Sequence, residues 1–407
     1  MTDDLRLLRL ANRSLGRLPP VTLDPERIEA YVCRRQGLSR VPGTHWRPAF
    51  AALCESLHHE ARLSPLGRIM ANGQLVGLLK ARCRAERLLA RHPEIHEQPI
   101  AAPIIIMGPM RSGSTRVQRL LACDPRLAWT RLHETLFPVP SGRRDRKRIA
   151  AAATVHAILR TLNPAVQQLH PSGPMQPDEE FGYLSFAFHS GQFAVQWDLP
   201  GFLEQEESRD LLPVAAELRT LLRINAWARG ESGQRRWVLK CPAYSGMAEA
   251  LIATFPDAQL VCLSRDPLKV VASSASLVHQ QRRIHSDAAD ARAIGPEWLE
   301  RTARRQRQLA AVRTLHPEVP AFDLHYDTMT ADWRGAMHRL YRFLGLSLTG
   351  EVMAAMERYI SGAKEHRGHR YALADYGLDP AMVEAAFAQP ERPLFPVSSP
   401  PLAVAAE

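Results

Sequence analysis

Lysine is nearly absent from this chain. Of 52 basic residues only five are lysines (Lys80, Lys147, Lys240, Lys269 and Lys364), and arginine supplies the rest. No run reaches the ~18 apolar residues that signal a membrane-spanning helix, so no span is expected. The opening residues, Met-Thr-Asp-Asp-Leu-Arg, lack the basic-then-apolar pattern of a secretory leader. Six scattered cysteines (Cys33, Cys54, Cys83, Cys123, Cys241, Cys262) include no CxxC pair. Buried free thiols are the expectation, and they fit a reducing, cytoplasmic location. No metal-ligand spacing is visible, and no metal is expected.

The 407 residues, 45% of them apolar, suffice for one large domain or two. The formal net charge of +10 is compatible with nucleic acid, a membrane surface or an anionic small molecule. Much of it sits in short runs, Arg143-Arg-Asp-Arg-Lys-Arg148 and Arg301-Thr-Ala-Arg-Arg-Gln-Arg307, which read as solvated helix faces. The charge alone does not decide among them.

Residues 1–98 read as all-helical, broken at Pro19-Pro20, Pro65 and Pro93. They are expected to form a cap or a homo-oligomerisation region. Residues 99–380 read as an α/β domain, with strands near 103–107, 236–240, 259–263 and 321–325 separated by helical stretches. Such alternation predicts a P-loop-type parallel sheet flanked by helices, with ligands at the strand C-terminal ends. A largely helical insertion is expected at about 143–230, and a Pro/Ala-rich tail at 381–407.

The sharpest motif is Pro103-Ile-Ile-Ile-Met-Gly-Pro-Met-Arg-Ser-Gly-Ser-Thr115. A buried strand runs into a loop with Gly108 and Gly113, and Val117, Leu120 and Leu121 then carry helical spacing. Free backbone N–H groups and the helix dipole make this junction an anion cradle. The Gly108-x-x-x-x-Gly113-x-Thr115 spacing is that of a nucleotide P-loop, yet Ser114 stands where the phosphate-binding lysine belongs. The cation inside the loop is Arg111. Further along, Trp237-Val-Leu-Lys-Cys-Pro-Ala-Tyr244 is a strand ending in Lys240, and Gln259–Leu263 is another that runs into Ser264-Arg-Asp-Pro267.

Taken together these segments resemble the sulfotransferases that use 3′-phosphoadenosine-5′-phosphosulfate (PAPS), in their bacterial branch. Arg111-Ser-Gly-Ser-Thr115 is similar to the family's 5′-phosphosulfate loop, and Arg265 with Ser273 eight residues on is similar to its 3′-phosphate motif. Arg367-Gly-His-Arg-Tyr371 looks like the family's C-terminal segment, which closes over the cofactor. The resemblance covers about residues 100–380. It implies PAPS as co-substrate, adenosine 3′,5′-bisphosphate (PAP) as product, and a small hydroxylated acceptor as partner, not nucleic acid. Cofactor contacts are then expected from Arg111, Ser112, Gly113, Ser114, Thr115, Arg116, Arg265, Ser273, Arg367, Gly368, His369 and Tyr371.

Sulfuryl transfer builds negative charge on the leaving oxygen, so cations and N–H donors carry the catalysis. Arg111 and Lys240 are placed to do so. The acceptor needs a base, and here the chain departs from its relatives: the family's His is replaced by Tyr244 in Lys240-Cys-Pro-Ala-Tyr244. A phenol with a pKa near ~10 is a poor base without a shift. Glu134 is the first candidate, with Tyr244, His133 and His189 behind it, and Asp178, Glu179 and Glu180 as further options. Glu179, Glu180, Phe186, His189 and Phe193 are assigned to the acceptor. The aromatics around them are either core or pocket wall; as pocket wall they imply an aromatic or apolar acceptor. Two rival readings stay open: a P-loop kinase using ATP, and a non-catalytic module that binds PAPS or PAP.

Overall fold

In the computed structural model, which describes residues 6–143, 145–163, 172–231, 235–362 and 371–388, one five-stranded sheet organises the chain. Its strands are β1 (Ile104–Met107), β2 (Leu127–Trp129), β3 (Arg236–Lys240), β4 (Gln259–Ser264) and β5 (Ala321–His325), in the order β2-β3-β1-β4-β5. Every pairing is parallel, and Ile105 lies opposite Leu239 on one side and Leu260 on the other. The sheet is therefore α/β and P-loop-like, with β1 in the middle, its four residues all buried. Parallel strands covered on both faces need such unbroken apolar runs.

Side-chain alternation divides the core. Ile105, Met107, Leu239 and Leu260 face the insertion helices, including Leu212–Arg229 and Phe181–Phe186. Ile104, Ile106, Val238 and Val261 face the opposite layer, the helices Ser114–Leu121 and Trp333–Phe343. Four of the strands lie where the sequence predicts them. β2 does not appear in the sequence reading, because three residues at a sheet edge carry no readable period.

Residues 6–91 hold four helices, Arg6–Leu15, Pro25–Gln36, Arg47–His59 and Pro65–Arg91. Pro65, a predicted break, is the first residue of a helix, and the Ser64 hydroxyl caps it by accepting from the Gly67 N–H at 3.1 Å. These helices share a core with Phe188, Phe193, Trp197, Leu199 and Phe202 of the insertion. Phe193, expected at the acceptor, is thus fully buried core, stacked on Trp197. Phe186 likewise packs in the sheet core beneath the Arg82 guanidinium. Aromatic rings bury most area where two helical layers meet, and these do. Among the described residues no helix is long and apolar enough to cross a membrane.

Candidate active site

The C-terminal end of β1 turns through Gly108 (φ 132°) into the helix that starts at Ser114, with Gly113 at φ 88°. A Cβ on Gly108 would stand 2.4 Å from the Leu263 carbonyl oxygen, so only glycine fits against β4. Arg111 itself sits at φ 66°, a left-handed conformation that costs energy for any residue but glycine. The tertiary structure holds it there. Its Nε donates to Ser273 Oγ at 3.0 Å, and its carbonyl accepts from Arg265 at 2.7 Å. The structure thus brings together Arg111, Arg265 and Ser273, residues up to 162 positions apart.

Burial pulls the Arg111 guanidinium below its usual pKa range; Tyr371 offsets that, and Arg265 adds a like charge. Arg265 lies over the Tyr326 ring, 4.0 Å from its centroid, and its Nε is buried without a partner. Ser112 Oγ is also buried and unpartnered. Two arginines, orphaned donors and a helix N-terminus at one strand end fit a polyanionic ligand. Ser114 and Thr115 open the helix, and Arg116 follows them, half-buried. Tyr371 packs against the apolar cluster that includes Met110 and Tyr376, whereas Arg367, Gly368 and His369 lie outside the described residues.

Lys240 ends β3 with 1% of its surface exposed. Its Nζ donates to Glu179 Oε1 at 2.5 Å and to Thr115 Oγ1 at 3.2 Å, so the strand lysine meets both the loop helix and the insertion. Glu180 points the other way. Its Oε2 accepts the Lys240 backbone N–H at 2.8 Å and the Tyr244 hydroxyl at 2.9 Å. Glu180 is fully buried, and that burial pushes its carboxyl up to about 8, despite hydrogen bonds that favour the charged form. Burial and the adjacent Glu180 drive Tyr244 well above the ordinary phenol range. A fully buried, proton-donating phenol takes no proton from an acceptor, so the Tyr244 base assignment is corrected: Tyr244 holds Glu180.

The Asp178–Glu180 segment is fixed from the β2 side. Asp178 N–H donates to the Thr130 carbonyl at 2.9 Å, Gln118 Nε2 donates to the Asp178 carbonyl at 3.1 Å, and Pro177 bridges to Arg131. Glu134 lies elsewhere and fully buried. Arg229 grips both of its oxygens, one at 2.8 Å and the other more closely, and the Arg131 N–H donates at 2.8 Å. Burial alone would raise its pKa, but the Arg229 charge and hydrogen bonds prevail and lower it. Its carboxylate is occupied by protein. His133, Glu134 and Asp145 bring ligand atoms within 4.8 Å of one another, yet Arg229 and Arg148 pair with the two carboxylates. The positive charge of that cluster is already supplied. His189 is nearly buried, its Nδ1 accepts from the Gly191 N–H at 3.1 Å, and burial lowers its pKa to about 4.

The sequence reading did not identify Tyr326, Arg229 or Ser245. Tyr326 directly follows β5, and that strand-end position was the available signal. Ser245 Oγ accepts the Gly108 N–H at 3.1 Å across 137 positions, which no local pattern announces.

This geometry defines a class first: a P-loop-type α/β protein whose loop carries Arg111 and has Ser114 in the lysine position. A family model described as the sulfotransferase family matches residues 103–350, more than half of the chain, and the chain belongs to that family. Omega-hydroxy-beta-dihydromenaquinone-9 sulfotransferase Stf3 of Mycobacterium bovis is 23% identical over 281 residues, 67% of this chain and 70% of that protein. The crystal structure of sulfotransferase STF1 from Mycobacterium tuberculosis superposes with a TM-score of 0.76 at 27% identity, covering 89% of this chain and 98% of that one. Sulfotransferase STF9 from Mycobacterium avium, at 21% identity and TM-score 0.77, covers 89% and 94% and shares the fold. The protein is a sulfotransferase, and family membership implies a sulfate donor.

Proposed function

We propose that this sulfotransferase uses PAPS and transfers its sulfuryl group to a hydroxyl of a small acceptor, releasing PAP and a proton. The convergence of Arg111, Arg265 and Ser273 carries this reading. A donor with a 3′-phosphate and a 5′-phosphosulfate has two anionic ends, and two arginines on one strand-end ledge suit both. The Mycobacterium bovis relative acts, by its name, on an omega-hydroxy compound, which agrees with a hydroxyl acceptor.

Each role follows from position. Arg111 and Lys240 hold charge at the leaving oxygen. Glu179 takes the acceptor proton in this scheme: its carboxylate is partly exposed and already lies on Lys240. Once Lys240 turns its protons to the donor, Glu179 is free to accept one. Glu134 orders Arg131 and Arg229 and keeps its charge for them. Glu180 anchors the backbone of Lys240.

Titration calorimetry with PAP and with AMP tests the donor. PAP should bind at least about tenfold more tightly, a preference supplied by charge-assisted bonds to the extra phosphate. Arg265→Ala should abolish the preference. Equal affinities in the parent protein would remove the PAPS reading.

A further inference from the structure

The arginine run 301–307 reads in sequence as a solvated face, and the structure corrects this for two of its members. Arg301 is 7% exposed and donates to Ser190 Oγ at 2.9 Å, while its Nε is buried with no partner. Arg305 is partly buried, and among the described residues the carboxylate that acts on it is Glu206. Burial, and then the neighbouring Arg301, pull its pKa well below the ordinary guanidinium range. A Cβ on Gly246 would stand 3.8 Å from Arg305 Nε, which places Arg305 against the turn Pro242–Gly246 that follows Lys240.

The surrounding carboxylates are spent. Glu206 accepts the Ser190 N–H at 2.7 Å and Arg209 at 3.3 Å. Glu297 is taken by Arg282 at 2.6 Å, and Glu207 by Arg304. His189, which feels Glu206 and the charges of Arg305, Arg209 and Arg301, is uncharged near neutral pH because burial holds its pKa at about 4. Glu206 acts on both Arg301 and Arg305, and Glu297 on Arg301, but each of these carboxylates already pairs with another arginine, so the cluster holds more guanidinium than carboxylate in a poorly solvated place, an arrangement that is costly unless an anion completes it.

We propose that Arg301 and Arg305 form a binding site for an oxyanion (a carboxylate, sulfate or phosphate) carried by the acceptor. The nucleotide's anionic groups already have Arg111 and Arg265. This pair lies instead behind the Lys240 turn, beside His189 and Gly191, where a Cβ on Gly191 would be 3.1 Å from the Ala243 side chain. Planar guanidinium groups bind such anions through paired N–H donors. Assigning the anion to the acceptor rests on the sulfotransfer reading above; the site itself does not.

The test uses the full chain saturated with PAP, so that the nucleotide sites are filled, and follows thermal unfolding against inorganic sulfate. Arg305→Gln should melt higher than the parent without sulfate, because it removes an uncompensated cation, and should weaken the sulfate response about tenfold or more. Arg305→Lys should keep most of the response. A lower melting point for Arg305→Gln, or an undiminished sulfate response, would overturn the site. The source is then decided by sulfation of phenol against 4-hydroxybenzoate. The parent should favour the carboxylated acceptor in kcat/KM, and Arg305→Gln should lose that preference; no preference in the parent would overturn the acceptor assignment. Failure to bind PAP would sink the PAPS reading while leaving the sulfate comparison of Arg305 variants intact.

Discussion

Lys240 donates its Nζ proton to Glu179 at 2.5 Å while its backbone N–H donates to Glu180 at 2.8 Å. One strand-end residue thus separates two adjacent carboxyls into different chemistry. Glu179 keeps part of its surface open and sits beside the loop; Glu180 is sealed under the turn. The proposed scheme therefore gives proton transfer to the first and architecture to the second.

Glu179→Gln should leave PAP affinity intact and lower kcat by about a hundredfold or more, as removal of a general base does. Glu134→Gln should behave differently. It breaks a buried pair with Arg229 and should cost about 3–5 kcal/mol of stability, read by denaturant unfolding, while the enzyme that remains folded turns over near normally. The opposite pattern, an inactive but stable Glu134→Gln beside an active Glu179→Gln, would return the base to Glu134.

Arg111→Ala should cut kcat by about two powers of ten with little loss of thermal stability, because its proposed role is to act on charge that develops in the transition state. Unchanged turnover with a sharp drop in melting temperature would make Arg111 a structural residue.

Glu180 should give the protein a distinct pH dependence. Its folded pKa of about 8 lies above the ordinary 4.5, so the native state binds more protons than the unfolded chain between those values. Its contribution is fully present below 4.5 and is lost as pH rises toward 8. Glu180→Gln keeps an acceptor for Lys240 and Tyr244 and cannot ionise. The stability of the parent relative to this variant, measured by urea unfolding, should fall steadily across that window; a flat difference would refute the neutral buried carboxyl.

Gly108→Ala should disable nucleotide binding. The added Cβ meets the Leu263 carbonyl oxygen at 2.4 Å, and the backbone angle of 132° is hostile to any side chain. PAP titration should show a loss of at least about tenfold; normal affinity would mean that the loop tolerates displacement from β4.

The sequence by itself determined what is local. A phosphate cradle consists of a strand end, a glycine loop and a helix start, and all three lie within residues 104–121. Arg265 and Ser273 are likewise set by one strand and the helix after it, so their spacing is legible in the sequence. The tertiary structure decided what depends on distant partners. Glu134 became an ion-pair member because Arg229, 95 positions away, reaches it. Phe193 became core because helices from residues 25–91 cover it. Arg301 is buried because Ser190, 111 positions away, reaches it, and Arg305 is half-buried against the turn Pro242–Gly246. A carboxylate or a guanidinium takes its role from its neighbours' charge and from the water it retains, and neither is written in the residue's own segment of chain.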